Sequence, residues 1–350
     1  MSRLALFVMA LFGLVAAPAA AQDNPPAPDR DQVEQAIERG VRYLIAQTDD
    51  RDGSIGVRNQ YRTATTSLAI MAMVAVGHQP TDQTPQGKAL RDALNYILAD
   101  DRITPDGYLG RQDGSRMYGH GITALMLTEM LGMGVDDRQD ELIRVRCRAA
   151  LDLILRSQQV DKSERYRGGW RYEPGSRDAD LSVTVWQLMA LRAGKAAGMD
   201  VPAQAIDQAV EYLKRSYREM GREKGGFGYE PGQYPRYATT AAGMLAMLVC
   251  GRYEHEQVRH ASNQLLEWGP QVGDQWFYYG TYYYAIGMYQ VGGEHATTAQ
   301  RETWRVLKEQ QRVDGSWQNR HHHESDQVYA TSMALLALSV RHHYLPIYQR

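Results

Sequence analysis

The chain has 350 residues, with 41 acidic side chains against 39 basic ones and a formal net charge of −2. That near balance gives no electrostatic reason to expect nucleic acid or an acidic membrane surface as a partner. The length suffices for one large domain with a sizeable core, or for two small ones.

The first segment in chain order is a leader. Arg3 is followed by the almost wholly apolar stretch 4–17 and then by small residues at Ala19 and Ala21. Charge, apolar core and small-residue step are the order of a secretory signal, so residues 1–21 are expected to be removed and the protein exported to the periplasm or beyond the cell. The apolar stretch is too short to span a bilayer comfortably, so no stable transmembrane segment is expected after cleavage. Residues 22–30, rich in proline, read as a disordered lead-in.

From residue 31 to about 345 the chain repeats itself. A glycine turn recurs six times, at Gly53, Gly107, Gly169, Gly226, Gly273 and Gly315. The third and fourth copies read GGWRYEPG from Gly168 and GGFGYEPG from Gly225. Ahead of each turn lies an amphipathic stretch with apolar residues at three- and four-residue steps: 32–47, 87–98, 141–158, 203–217, 261–268 and 299–311. After each turn lies a stretch apolar on nearly every side: 65–77, 118–132, 181–194, 237–251, 277–292 and 327–340. A helix that is apolar all round belongs inside a protein. Gly77, Gly132, Gly194 and Gly251 fall where these patterns stop, as helix C-caps do. The two cysteines, Cys147 and Cys250, each sit inside a regular helical pattern and read as separate thiols, with no cysteine metal site.

One such unit cannot cover its own apolar helix, so neighbours must do so. An open stack would need a polar face on its last unit, yet the last inner stretch, TSMALLALSV, is as apolar as the middle ones. Closing unit six onto unit one removes the problem. The predicted architecture is an all-α (α/α)6 toroid, a closed ring of six inner and six outer helices.

The repeat resembles the prenyltransferase and squalene-cyclase superfamily of α/α toroids. The resemblance rests on Trp304, Gln311, Gly315 and Trp317 in the last unit, with looser copies at Gln159, Gly169 and Trp170, and at Tyr43, Gln47 and Gly53. It implies that the glutamine caps a helix end on which the tryptophan packs. It also implies an exported, terpenoid-cyclase-like single toroid.

Side chains at the starts of the inner helices would line the mouth of a central cavity. Asp178-Ala-Asp180-Leu-Ser182 resembles the D-x-D-D-T acid motif of the cyclases, but Leu181 replaces its third aspartate. Asp180 and Asp178, with His120, are the catalytic candidates. Asp180 also suits a plain helix N-cap. Tyr237, Trp276, Tyr279, Tyr283, His323 and Asp326 are the candidate cavity residues, the aromatic ones for stacking on sugars, apolar chains or cations. Glu324 and Tyr279 join Asp180 and His120 if the ligand is a glycan. Residues 234–240 lack the aspartate and cysteine of the zinc prenyltransferases, and the histidines at 321–323 read as exposed loop residues, so no cofactor or metal is expected.

Two functions follow. One is a non-catalytic binding or scaffold protein of the cell envelope that holds a lipid, a glycan or another envelope protein. The other is an enzyme with its active site in the central cavity, acting on an isoprenoid or cleaving a glycan. Fold analogy alone cannot choose between them.

Overall fold

A computed structural model describes residues 29–56, 60–321, 324–342 and 345–348. The predicted leader lies outside these residues, as does the lead-in up to residue 28. Asp29 and Arg30, assigned to the lead-in by sequence, begin the first helix: Asp29 is its N-cap.

Among the described residues the outer helices are α1 (Arg30–Ala46), α3 (Pro85–Leu98), α5 (Asp137–Gln158), α7 (Ala203–Ser216), α9 (Glu256–Trp268) and α11 (Gly293–Gln310). The inner helices are α2 (Arg62–Ala75), α4 (Arg116–Glu129), α6 (Leu181–Ala196), α8 (Tyr237–Val249), α10 (Phe277–Val291) and α12 (Gln327–Leu338). Burial follows the sequence pattern. In α8 every residue from Ala238 to Val249 is buried. In α1 only Val33, Ala36, Ile37, Gly40, Val41, Tyr43 and Leu44 are, forming one stripe at helical spacing. Among the described residues no helix is long and apolar enough to cross a membrane.

The inner helices pack in succession, and α12 packs on α2 while α1 packs on α12, so the ring is closed. Each of the other five outer helices leans on the inner helix before it in the chain. The glycine turns fix that arrangement. Gly53, Gly107, Gly168 and Gly315 all have φ between +78° and +92°, a region that favours glycine. A Cβ on any of them would press on a backbone carbonyl of the following outer helix: Asp92, Ala149, Gln208 and, across the closure, Arg39. The third turn therefore pivots on Gly168, one residue before the position the repeat suggested.

Just after the glycine turn in five of the units, a backbone N–H is taken by a side chain on the next inner helix. Ile55, Trp170, Phe227 and Trp317 donate to the Oγ1 atoms of Thr66, Thr184, Thr240 and Thr331 at 3.0–3.1 Å. In the second unit Leu109 donates to Nδ1 of His120 at 3.2 Å.

The glutamine–tryptophan element is real but shifted in one copy. Gln311 Nε2 donates to the carbonyls of Ala36 and Gly315 at 2.8 and 3.1 Å, and Trp317 Nε1 donates to Leu307 O at 2.8 Å. In the third unit Trp170 Nε1 reaches Ile154 O at 2.9 Å, but the glutamine is Gln158, bonded to Gly168 O and Ala205 O at 3.1 and 2.9 Å. Gln159, the residue expected, is exposed at the helix end.

Helical periodicity also missed one element. After α7 the chain forms an antiparallel hairpin, β1 (Tyr217–Gly221) and β2 (Lys224–Phe227). The hairpin packs on α9 and α8 and delivers β2 directly to the second YEPG segment.

Candidate active site

The connections that lead into the inner helices gather at one rim of the ring. The third and fourth are stitched together at the start of α6. Asp180 N donates to Trp170 O at 3.0 Å, and Leu181 N donates to Tyr229 O at 2.8 Å. Asp180 is the N-cap of α6: its Oδ1 accepts from Val183 N at 2.9 Å. Its Oδ2 is buried and has no hydrogen-bond partner.

The group facing that oxygen is Arg171. Its Nε lies 3.5 Å from Asp180 Oδ2 and 3.6 Å from Asp178 Oδ2, and its Nη1 donates to Glu230 Oε1 at 2.7 Å. The guanidinium also lies 5.2 Å from the Tyr172 ring centre and 5.5 Å from that of Tyr229. The hydroxyls of those two tyrosines bond to each other at 2.6 Å, and Tyr166 donates to the other Glu230 oxygen at 3.1 Å. One arginine thus gathers three carboxylates under two aromatic rings.

The carboxylates do not share one affinity for protons. Burial pushes Asp180 up to about 6, against the opposing pull of the Val183 N–H and Arg171. Burial also raises Glu230, but the Arg171 and Tyr166 bonds outweigh it and hold this carboxyl below the usual range. Asp178 is half exposed. An acid that holds its proton up to about pH 6 beside a carboxylate that loses its proton earlier is the pairing that general acid–base chemistry needs.

The other sequence candidates are placed differently. His120 stands apart from this cluster, in the place that threonine takes in four of the other units. Its Nδ1 accepts from Leu109 N and its Nε2 bonds to Ala150 O at 3.1 Å, so both nitrogens are engaged by backbone. Burial pushes it down to about 4, which leaves it neutral at ordinary pH. Tyr279 and Tyr283 are buried, with ring centres 4.7 Å apart, and Tyr283 packs edge-on to Trp186 at 5.8 Å. They fill the axis of the ring. Tyr237 is half-buried and packs 5.9 Å from the Tyr284 ring. Trp276 caps α10 and is exposed on the rim. Asp326 caps α12 by accepting from Tyr329 N at 2.7 Å, and burial raises its pKa. Glu324 is buried and holds Tyr278 N, Tyr279 N and Asn319 Nδ2 at 2.9–3.0 Å, an anchor for the start of α10. His323 lies outside the described residues.

The sequence candidates thus include Asp178 and Asp180 but omit Arg171, Tyr229 and Glu230. The signal for the omitted three is the twin octapeptide: WRYEPG supplies Arg171 and Tyr172, and FGYEPG supplies Tyr229 and Glu230.

No family model and no curated relative matches the sequence. Solved structures do match in fold. An inactive α-1,6-mannanase variant from Salegentibacter sp., in complex with α-1,6-mannotriose, superposes with a TM-score of 0.61 at 6% identity, over 88% of this chain and 98% of that one. A cellobiose 2-epimerase from Bacillus thermoamylovorans gives 0.62 at 11%, over 89% and 100%. A wild-type glycosidase gives 0.58 at 12%, over 91% and 100%. At these identities the likeness shows the fold, an (α/α)6 toroid. It corrects two expectations. The rings matched are those of sugar-processing toroids, not of the prenyltransferase and squalene-cyclase superfamily. The structures named are also those of enzymes, so the comparison favours the enzyme with a central-cavity site over the non-catalytic scaffold expected first. The short glutamine–tryptophan pattern misled because it records how a helix end is tied to a turn, a need that any ring of paired helices shares.

Proposed function

We propose that the protein is an exported carbohydrate-active enzyme that hydrolyses a glycosidic bond at the rim where the third and fourth connections meet. Asp180 acts as the general acid and Glu230 as the carboxylate that activates water. The observation that carries this reading is the pair itself: two carboxyl groups on one guanidinium, with proton affinities driven in opposite directions.

In the reaction Asp180 Oδ2 gives its proton to the glycosidic oxygen as the bond from that oxygen to the anomeric carbon breaks. Water adds to the anomeric carbon and passes a proton to Glu230, so the atoms of one water end up divided between the two products. Arg171 keeps Glu230 ionised and oriented. Tyr61, Tyr172, Tyr234 and Trp276 are exposed on the connections that form this rim, and such rings stack on the apolar faces of sugars. The toroids of similar fold that process mannan and cellobiose support a sugar as substrate. The leader ending at Ala21 supports action outside the cytoplasm.

The test is release of reducing ends from a panel of α- and β-linked oligosaccharides by the purified mature chain. Turnover of at least one linkage is expected, falling about 10²–10⁴-fold in Asp180→Asn. No release from any member of the panel, or release that Asp180→Asn leaves intact, would sink the reading.

A further inference from the structure

We propose that Glu219, Glu256 and His260 form a divalent-metal site of the zinc type on the outer wall of the ring, where β1 meets α9. The ligand atoms of these three side chains all lie within 4.8 Å of one another. Glu256 and His260 are one turn apart on α9, so both project from the same helix face, and Glu219 comes across from β1.

The histidine is held as a ligand is held. It is buried, and its Nδ1 bonds to the Tyr217 hydroxyl at 3.1 Å, which fixes the ring and turns Nε2 toward the carboxylates. Nε2 lies 3.6 Å from Glu256 Oε1, longer than a hydrogen bond. A ligating histidine commonly has its second nitrogen fixed in this way.

The charge is unbalanced. Among the described residues neither Glu219 nor Glu256 pairs with a lysine or arginine. Arg259 and Lys224, the nearby cations, bind Glu223 and Glu267 instead. The two carboxylates carry a double negative charge that a divalent cation matches. One nitrogen and two carboxylates suit zinc, whose bonds to such donors are about 2.0–2.2 Å. Calcium would want six to eight oxygens. Both glutamates are exposed, so they can swing the short distance inward without disturbing the core. The bound ion would pin the hairpin whose second strand runs straight to Tyr229 and Glu230, but the site stands on its own geometry and does not rest on the hydrolytic reading.

The experiment is calorimetric titration of zinc chloride into the full mature chain after dialysis against a chelator, with the thermal midpoint followed in parallel. The expected result is a complex with micromolar or tighter Kd, a raised midpoint, and at least about tenfold weaker binding in Tyr217→Phe. The double substitution Glu219→Gln, Glu256→Gln changes only exposed side chains and is expected to abolish this binding. Absence of zinc binding in the wild-type chain overturns the proposal. So does binding that persists unchanged in the double variant, which would place the metal elsewhere on the chain.

Discussion

Asp180 Oδ1 accepts from Val183 N at 2.9 Å while Oδ2, unbonded, faces Arg171 Nε at 3.5 Å. The two readings of this residue are therefore not alternatives: one oxygen starts a helix and the other meets the charged cluster. Substitutions separate the roles. Asp180→Asn keeps the capping oxygen and loses the acid, so turnover should collapse with little change in unfolding free energy. Asp180→Ala loses both and should cost a further 0.5–2 kcal/mol, typically about 1, of stability. Paired urea melts and rate measurements on the two variants check this.

The pH profile follows from the same pair. Glu230 must be ionised, and Arg171 holds its pKa below the usual range, so the acid limb should fall below about 4.5. Asp180 must be protonated, and burial holds it at about 6, so activity should decline as pH rises through that value. The measurement is kcat/KM on a hydrolysed oligosaccharide from pH 3 to 9. An alkaline limb that does not move in Arg171→Lys, where the rigid fork beside Asp180 is lost, would contradict the assignment.

The ring was legible because closing it depends on local signals. Apolar helices mark the inside, and glycines mark the turns that touch the next outer helix. The site was legible only in part. Asp178 and Asp180 stand out because acids before an apolar run are conspicuous. Arg171 and Glu230 come from different repeats, 59 residues apart in sequence, and meet only through tertiary packing. The twin octapeptides advertise repetition, not convergence. His120 shows the opposite failure: a histidine at an inner-helix start reads as chemistry, but it replaces the threonine that holds the turn in other units. The hairpin escaped because YREMGREKGGF has neither helical nor strict alternating periodicity.

Closure can be tested at the seam. Gly315 has φ +88°, and a Cβ there would press on Arg39 of the first helix. Gly315→Ala should destabilise by about 2 kcal/mol or more, from left-handed strain plus the clash. Gly175→Ala, where a Cβ meets open space and φ is ordinary, should change little. Trp317→Ala empties a wholly buried site beside the same seam and should cost about 3–5 kcal/mol. Chemical denaturation of the three variants gives the comparison. Equal stability of Gly315→Ala and Gly175→Ala would argue against a tight seam.

Residues 345–348 pack against the C-terminal end of α4 and against α10, and that packing has a pH dependence. Leu345 and Ile347 are buried, Tyr348 bonds to Tyr282, and Ile347 N donates to Glu129 Oε2 at 3.3 Å. Glu129 is the last residue of α4, and burial pushes its carboxyl up to about 8, with the Ile347 N–H as the opposing influence. Because the folded pKa lies above the unfolded one, the stability this group contributes is fully present below about 4.5. It is lost as pH rises through about 8, at up to about 1.4 kcal/mol per unit. Glu129→Gln keeps an acceptor for Ile347 and cannot ionise. It should match the wild type near pH 4.5 and exceed it progressively toward pH 8. Urea melts at pH 4.5, 6.5 and 8 measure the difference, and parallel curves for the two chains would show that Glu129 does not carry a buried proton.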